Sequence, residues 1–395
     1  MKSSYIKIFS VSAMLLLLIT SCRKDLTNVE NESNYVGDSF SDVFEAYWNG
    51  MNNNYVFWSI DTTDWDRVYT TYKPLFASLD INSDADQLTA YKYFKAMADG
   101  LTDSHYTLSF ASDALADSAI WPSYDRKLAA GTIRTHYVFY GYDATYYLDK
   151  DYVYGVDSVN TLEGSSTEAI AGTISFSDGG KALYLAFNQF NLAASYEASD
   201  DNGVKKVMTY FINYLQNNAS TLKGVIIDVR GNTGGAVADL NFLVGQLTGT
   251  KLVIGATRYK NGNGRLDYTP WADAIVTPQS TGQTLTVPVV ALADMWSISM
   301  AEITTMAIHA LPTGAVVGET TWGANGPLTA NENYNGGQFY FSWFGYAYTS
   351  SSQFRYKDGN IYEGEGFPPD YSVPFSLDDF NYYGDRQLET ALGLM

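Results

Sequence analysis

The sequence predicts an α/β fold preceded by a helical N-terminal region. Between about 39 and 100, apolar residues recur at helical spacing, and beyond about 180 short buried-strand patterns alternate with helical ones. Hydrophobic residues make up 46% of the 395 residues, which is enough for a large core. Alternation of strands and helices predicts a sheet whose faces are covered by helices.

The first 21 residues have the pattern of a secretory signal peptide. Lys2 and Lys7 precede an apolar run that is too short to span a bilayer. The run ends in "ITSC", which resembles a bacterial lipobox, where the cysteine is lipidated after cleavage. Cys22 is the only cysteine in the chain, so an internal disulfide is impossible; the alternative for it is a buried thiol behind a plain signal peptide. We therefore expect a signal peptide over 1–21 and a lipid anchor at Cys22, holding the protein on a membrane of a bacterial cell envelope, periplasmic or surface-facing.

Two regions follow the signal peptide before the α/β part begins. The polar stretch 22–38 predicts a flexible tether. The region 39–118 predicts a small helical domain, with helices in "SFSDVFEAYWNGMNNNYVFW", "DTTDWDRVYTTYKPLFASL" and "SDADQLTAYKYFKAMADGL", the last of which ends near Gly100.

The remainder, 119–395, predicts the α/β domain. Its first part, 119–180, is β-rich: the tyrosine-rich stretch 137–156 predicts strand packing or a sugar- or peptide-stacking surface, and "SFSDGGKALYLAF" a hairpin. Next come a helix in "VKKVMTYFINYLQ", a buried strand at 224–229, a helix in "AVADLNFLVGQL", a strand in "TVPVVALA", a helix from Met300 and a strand in "GAVVGE".

The formal charge of −19 argues against nucleic acid as a partner, because such a partner needs a basic surface. The sequence contains no H-E-x-x-H motif and no other metal-ligand spacing. We therefore expect neither a catalytic metal nor another cofactor.

Ser299 lies in "DMWSISMAEI", where a predicted buried strand gives way to a helix. Together with Glu302 it forms an S-x-x-E capping box, which satisfies free N–H groups at a helix start. Its position also suits a nucleophile. The two roles are compatible, and the sequence leaves both open.

A serine nucleophile needs a base, and the chain has three histidines. His309 lies ten positions along the predicted helix, roughly 15 Å from Ser299, and is too distant. His136, in an aromatic stretch, suggests a structural role. His105 lies in a loop beside Ser104 and is the better candidate, although a plain surface histidine is the alternative.

Two loops could complete such a site. "DVRGNTGG" (228–235) matches neither G-x-G-x-x-G nor a Walker loop, which leaves an oxyanion hole or a tight turn without a ligand. "NIYEGEGFPPDY" offers Glu363, Glu365 and Asp370 as partners that could orient a histidine, unless they are solvated loop acids.

In this order, the motifs resemble the tail-specific (C-terminal processing) serine peptidase family, which also includes the tricorn core protease and the modules of interphotoreceptor retinoid-binding protein. "GVIIDVRGNTGG" is similar to the family's strand and oxyanion loop, "PVVALADMWSISMAEITTMAI" to its nucleophile segment, and "VVGETTWGANG" and "EGEGFPPD" to later motifs. The resemblance covers most of the chain from about 40 and implies a crotonase-like α/β core. The middle region contains no clear PDZ signature.

One departure selects a branch of that family. Bacterial tail-processing enzymes carry a Ser–Lys dyad, but here Ala324 stands where the lysine would be. The tricorn-like branch instead implies Ser299 as nucleophile, His105 as base, and Ser104 and Glu363 as the relay behind the imidazole. The resemblance further implies an oxyanion hole built from the N–H groups of Gly234 or Gly235 and of Met300.

The sequence thus predicts a cell-envelope serine peptidase that hydrolyses peptides or unfolded proteins and uses no cofactor. A catalytically inactive relative that binds a peptide, lipid or glycan is the alternative. A third hypothesis, an unrelated nutrient-binding lipoprotein, leaves the order of the motifs unexplained.

Overall fold

The computed structural model describes residues 37–116, 118–136, 139–262, 264–328 and 336–395. The predicted signal peptide, Cys22 and nearly all of the predicted tether lie outside these residues. Among the helices of the described part, none combines the length and the apolar character that a membrane span requires.

The strands of the described part are β1 (Thr107–Phe110), β2 (Ala119–Ile120), β3 (Val153–Leu162), β4 (Ser165–Ser175), β5 (Lys181–Phe187), β6 (Leu222–Asp228), β7 (Leu252–Tyr259), β8 (Ala272–Val276), β9 (Val289–Ala293), β10 (Gly314–Gly318), β11 (Gln338–Phe341), β12 (Gly345–Tyr348), β13 (Ser352–Tyr356) and β14 (Tyr371–Ser372). The α-helices are α1 (Phe40–Asn54), α2 (Trp65–Phe76), α3 (Asp84–Ala98), α4 (Pro122–Ala129), α5 (Gly141–Ala144), α6 (Leu192–Glu197), α7 (Gly203–Asn218), α8 (Asp239–Val244), α9 (Met300–His309), α10 (Leu377–Tyr383) and α11 (Arg386–Leu392).

A seven-stranded sheet forms the centre of the α/β part, in the order β14-β10-β9-β6-β5-β4-β3. The strands from β14 to β5 are parallel, and β4 pairs antiparallel with both of its neighbours. Strand β6 is buried on both faces: Val225 and Ile227 join the core that contains α7 and α9, and Ile226 joins the core under α11. Apolar side chains on both faces are what a sheet covered by helices requires. The predicted α/β class is confirmed.

The three predicted N-terminal helices are confirmed as α1, α2 and α3, each opened by a side-chain cap from Ser39, Asp64 and Ser83 respectively. They share a hydrophobic core with a second sheet, in the order β11-β12-β1-β2. Phe94 of α3 contacts Phe341 and Phe344 of the late chain at ring distances of 5.3 and 6.2 Å. Late strands therefore return to the N-terminal helices and hold the segment between α3 and β1 in place.

The hairpin prediction is confirmed by β4 and β5, which pair antiparallel around a turn in which Gly179 has a φ of +84°. The strand prediction for 137–156 is wrong for most of its described residues. Turns and the short helix α5 occupy this stretch, and strand structure begins only at Val153. The aromatic residues serve tertiary contacts instead, since the Tyr140 and Tyr147 hydroxyls bond Asp294 and Glu389. Residues 137 and 138 lie outside the described residues.

Candidate active site

Ser299 lies on a sharp turn between the buried strand β9 and helix α9, at the carboxyl end of the parallel strands. Its backbone has φ +58° and ψ −116°, one of three positive φ values at non-glycine residues in the described part of the chain. Such conformations are costly and are concentrated at functional sites. The side chain is half-buried, whereas the following Met300 is buried. A strained strand-to-helix turn thus presents this hydroxyl at the edge where open α/β sheets bind ligands.

The predicted capping pair of Ser299 and Glu302 is present, and its main bonds run through the backbone. Glu302 Oε2 accepts the Ser299 N–H at 3.2 Å, and the Glu302 N–H donates to the Ser299 carbonyl oxygen at 2.9 Å. The capping box therefore fixes the backbone of the Ser299 turn at the start of α9.

The glycine loop after β6 lies directly against the Ser299 turn. The Ile298 N–H donates to the Asn232 carbonyl oxygen at 3.0 Å. A Cβ on Gly234 would lie 2.7 Å from Ser299 Cβ and 3.0 Å from the Met300 nitrogen, closer than real Cβ atoms pack. Only glycine fits this approach, which makes the loop part of the Ser299 site rather than a remote turn.

The three residues predicted to form an oxyanion hole differ in whether their backbone N–H groups already have a hydrogen-bond partner. The Gly234 N–H already donates to Asn232 Oδ1 at 2.9 Å, which removes it as a donor in this arrangement. Gly235 forms a parallel bridge with Phe190, in which the hydrogen bonds are made by the adjacent residues Gly234 and Ala236. The N–H of Gly235 itself has no partner among the described residues. The Met300 N–H likewise has none there, at the positive end of α9. Gly235 and Met300 are therefore the donors left for an anion.

His105 lies in the short loop between α3 and β1. Its backbone N–H donates to Asp103 Oδ1 at 2.9 Å, and Asp103, which is fully buried, also accepts the Ser350 N–H at 2.7 Å. The Ser104 N–H donates to Glu363 Oε1 at 2.8 Å, and the Ser104 and Ser123 hydroxyls lie 2.9 Å apart. The structure thus brings together three of the residues that the sequence predicted, Ser104, His105 and Glu363.

The imidazole of His105 is poised as a neutral group. Its Nδ1 is buried and has no hydrogen-bond partner among the described residues. Burial lowers the pKa of His105 to about 4, and burial together with the neighbouring Asp103 carboxylate raises the pKa of Glu363. A neutral imidazole at pH 7 can accept a proton, which is what a general base must do.

Two buried glutamates connect the two halves of the site through one loop. Glu302 accepts the N–H groups of Gly323 and Ala324 at 2.7 and 2.6 Å. Glu363 accepts those of the next two residues, Asn325 and Gly326, at 2.9 and 2.7 Å. Because Glu302 also holds the Ser299 N–H and Glu363 holds the Ser104 N–H, the Ser299 turn and the His105 loop are fixed to the same four-residue segment. No direct hydrogen bond joins Ser299 Oγ to the imidazole in the described structure.

Asp103, His105 and Glu363 each bring one possible metal ligand, and these atoms lie within 4.8 Å of one another. Both carboxylates already accept backbone N–H groups that fix local chain geometry. Ligands of zinc lie about 2.0–2.2 Å from the ion. Ligand atoms as far as 4.8 Å apart would therefore have to move closer together to bind one ion. The set therefore fits the support of an imidazole better than the coordination of an ion.

The remaining candidates serve other contacts. His309 bonds the Tyr356 hydroxyl through Nδ1 at 2.7 Å and lies 3.3 Å from Asp370. Asp370 also accepts the Val316 N–H, and Glu365 is exposed, so neither acid contacts His105. His136 Nε2 donates to the Gly231 carbonyl oxygen, and its ring stacks on Trp296, which is a structural role. Sequence reasoning gave Asp103 no role of its own, although its position two residues before His105 was the available signal.

Comparison with known proteins finds a family that part of the chain resembles. Residues 181–373, slightly less than half of the chain, match the family described as peptidase family S41. No curated protein matches the chain.

The chain is also similar to solved structures, and this likeness extends beyond the matched region. It is similar to the crystal structure of a putative peptidase from Parabacteroides merdae ATCC 43184, with 21% identity over 91% of this chain and 97% of that chain, at a TM-score of 0.63. It is also similar to mature CPAF, with 13% identity over 90% and 95% of the two chains, at a TM-score of 0.56. CPAF complexed with lactacystin gives 14% identity over 90% and 97%, also at 0.56. At these identities the likeness shows a shared fold, and the family match supports a serine peptidase function.

Proposed function

We propose that the protein is a serine peptidase in which Ser299 is the nucleophile and His105 the general base. The observation that carries the proposal is the shared loop: the segment 323–326 is held at one end by Glu302, beneath Ser299, and at the other by Glu363, beneath Ser104. The match of residues 181–373 to peptidase family S41 indicates the class of reaction, which is peptide hydrolysis. Peptides and unfolded proteins are the proposed substrates.

The proposed reaction is acyl transfer in two steps. His105 takes the proton of the Ser299 hydroxyl as Oγ attacks the peptide carbonyl carbon. The oxyanion that forms accepts hydrogen bonds from the N–H groups of Gly235 and Met300. The imidazolium returns its proton to the leaving amine, and water then releases the acyl group by the same route.

Two effects act on the charged form of His105 in opposite directions: attraction by neighbouring carboxylates and burial. The carboxylates of Asp103 and Glu363 lie within 4.8 Å of a His105 ring nitrogen and attract a developing positive charge. Burial disfavours the same charge in the resting state, which keeps the base neutral. Catalytic hydrogen bonds are often long in structures without substrate and shorten when it binds. The proposal therefore does not require a Ser299–His105 hydrogen bond in the absence of substrate.

Hydrolysis of an internally quenched peptide, or of an unfolded protein, tests the proposal. We expect Ser299→Ala and His105→Asn to abolish turnover at unchanged thermal stability, and the exposed-serine control Ser220→Ala to behave as wild type. Turnover by Ser299→Ala equal to that of wild type, or no turnover by wild type between pH 5 and 9, would contradict it. The second outcome would favour a binding protein that retains the S41 fold.

The location belongs to the same proposal. A lipidated Cys22 would tether the enzyme to the cell envelope, with the catalytic domain beyond it. Expression of the full chain with a radiolabelled fatty acid should label the wild type and not Cys22→Ala. Equal labelling of both chains, or of neither, would refute the lipid anchor while leaving the peptidase assignment intact.

A further inference from the structure

Asp294, the first residue after β9, is a fully buried carboxylate that connects three segments. Its Oδ1 accepts the Gly231 N–H of the glycine loop at 3.0 Å and the Trp296 N–H of the Ser299 turn at 2.9 Å. Its Oδ2 accepts Arg134 Nη2 at 2.6 Å and the Tyr140 hydroxyl at 3.1 Å. One side chain therefore couples the two parts that would form the oxyanion hole to residues from a distant stretch of the chain.

Arg134 extends this connection to the next strand. Its Nη2 also lies 3.0 Å from Oε2 of Glu319, the first residue after β10. Because Gly231 follows β6, Asp294 follows β9 and Glu319 follows β10, the contacts cross the carboxyl ends of three adjacent parallel strands. The guanidinium is the cation that neutralises the buried Asp294 charge.

His136 reinforces the same two segments. Its Nε2 lies 2.8 Å from the Gly231 carbonyl oxygen, and its ring stacks on Trp296 at 4.6 Å. Trp296 Nε1 in turn donates to the Arg134 carbonyl oxygen at 3.3 Å. Both backbone groups of Gly231 and both the backbone and the ring of Trp296 are thus held by Asp294 and by the stretch 134–136.

We propose that Arg134 is a positioning residue that, through Asp294, sets the geometry of the oxyanion donors Gly235 and Met300. The inference rests on the proposed peptidase function. Without the guanidinium, Asp294 would be a buried charge lacking its cation, and such a group reorganises or draws in water. The Gly231 and Trp296 N–H groups would then lose a fixed acceptor. The oxyanion donors lie on these two segments, so transition-state binding would suffer more than substrate binding.

The test compares Arg134→Met and Arg134→Lys with Lys181→Met. The control breaks an ion pair of similar length, Lys181–Asp149 at 2.8 Å, at the amino end of β5 on the opposite edge of the sheet. For a quenched peptide, we expect Arg134→Met to lower kcat by about 10²-fold with little change in KM, since small misplacements at a reacting centre have this effect. The control should behave as wild type.

Arg134→Lys should recover part of the loss in kcat, because both ion pairs come from the single nitrogen Nη2. Hydrogen exchange of peptides covering 231–235 should be faster in Arg134→Met than in wild type and unchanged in Lys181→Met. If Arg134→Met does not fold, Tyr140→Phe, which removes the 3.1 Å bond to Asp294, is expected to lower kcat less severely with KM again little changed.

Wild-type kcat and wild-type exchange in Arg134→Met would overturn the inference, as would equal effects in Lys181→Met or a loss confined to KM. With an unfolded Arg134→Met, an unchanged kcat in Tyr140→Phe would also overturn it. An inactive wild type would defeat the proposed function instead. In that case the exchange comparison alone decides whether Arg134 holds the glycine loop.

Discussion

Glu302 and Glu363 accept hydrogen bonds from four consecutive backbone N–H groups, two each, along residues 323–326. Glu302 comes from α9 and Glu363 from a late loop, and both are buried. Each also holds one further backbone N–H, of Ser299 and of Ser104 respectively. Distances along this connection are all 3.2 Å or less, so a shift of the loop would move the nucleophile and the base relative to each other.

Glu363→Gln should therefore impair both stability and turnover. An amide in this position turns an NH₂ group toward at least one of the three N–H donors that the carboxylate accepts, and each unsatisfied buried donor costs about 1–3 kcal/mol. We expect a lower free energy of unfolding and a kcat reduced by about 10²-fold. Denaturant unfolding and peptide hydrolysis measure the two effects.

Glu365→Gln is the matched control, since this exposed acid lies two residues further along the same loop. It should match wild type in both measurements. Equal behaviour of the two variants would mean that Glu363 does not support the site.

The acid limb of kcat/KM should lie well below pH 6.5, the ordinary value for histidine. Burial lowers the pKa of His105 to about 4, so the base stays neutral as the pH falls through 6. A kcat/KM profile whose acid limb centres at 6.5 or above would show that the base is a different or a solvated group.

The lowered pKa of His105 also predicts how the free energy of unfolding depends on pH. Between pH 6.5 and about 4 the unfolded chain binds a proton at His105 that the folded chain does not, so this residue lowers stability as the pH falls. His105→Asn should remove that contribution, so the variant should lose less stability than wild type as the pH falls from 6.5 to about 4. Burial raises the pKa of Asp103 and Glu363, which act in the opposite sense; both are present in the two proteins, so the difference isolates His105.

Gly234→Ala should inactivate the enzyme through a direct clash. The added Cβ would lie 2.7 Å from Ser299 Cβ, on a backbone with φ +100°. Gly359→Ala is the control, because Gly359 has a similar φ of +94° and no atom within 4 Å of its added Cβ. The control reports the backbone strain alone, about 1–3 kcal/mol. Active Gly234→Ala enzyme would place the glycine loop away from the nucleophile.

Ala324→Lys should not create a Ser–Lys enzyme. Ala324 is 1% exposed and its N–H is held by Glu302, so a lysine side chain has no room beside the loop. We expect a destabilised variant with a lower kcat/KM, since overpacking costs about 1–3 kcal/mol. A higher kcat/KM at pH 9 than in wild type would show instead that the dyad position is intact.

Local patterns in the sequence were sufficient to predict the turn at Ser299, the glycine loop and the α/β alternation, because each is encoded in contiguous residues. The second role of Glu302 could not be predicted in this way, since a capping box does not indicate that the same carboxylate binds a loop 21 and 22 residues later. Asp103 is bound by Ser350, and the role of Arg134 depends on its ion pair with Asp294. Ser350 and Asp294 lie far along the chain from these partners, so no local pattern indicates either contact. The aromatic stretch before β3 looked strand-like because tyrosine favours strands, but its side chains are used for packing and hydrogen bonds across the fold.

Labelling with a fluorophosphonate, followed by mass mapping of the modified peptide, tests the pairing of Ser299 with His105 most directly. The reagent reacts with serines that a base activates, independently of any substrate preference. We predict modification of wild type at Ser299 alone, at a rate that falls by at least about 10³-fold in His105→Asn. Modification at another residue, or an unchanged rate in His105→Asn, would contradict the account.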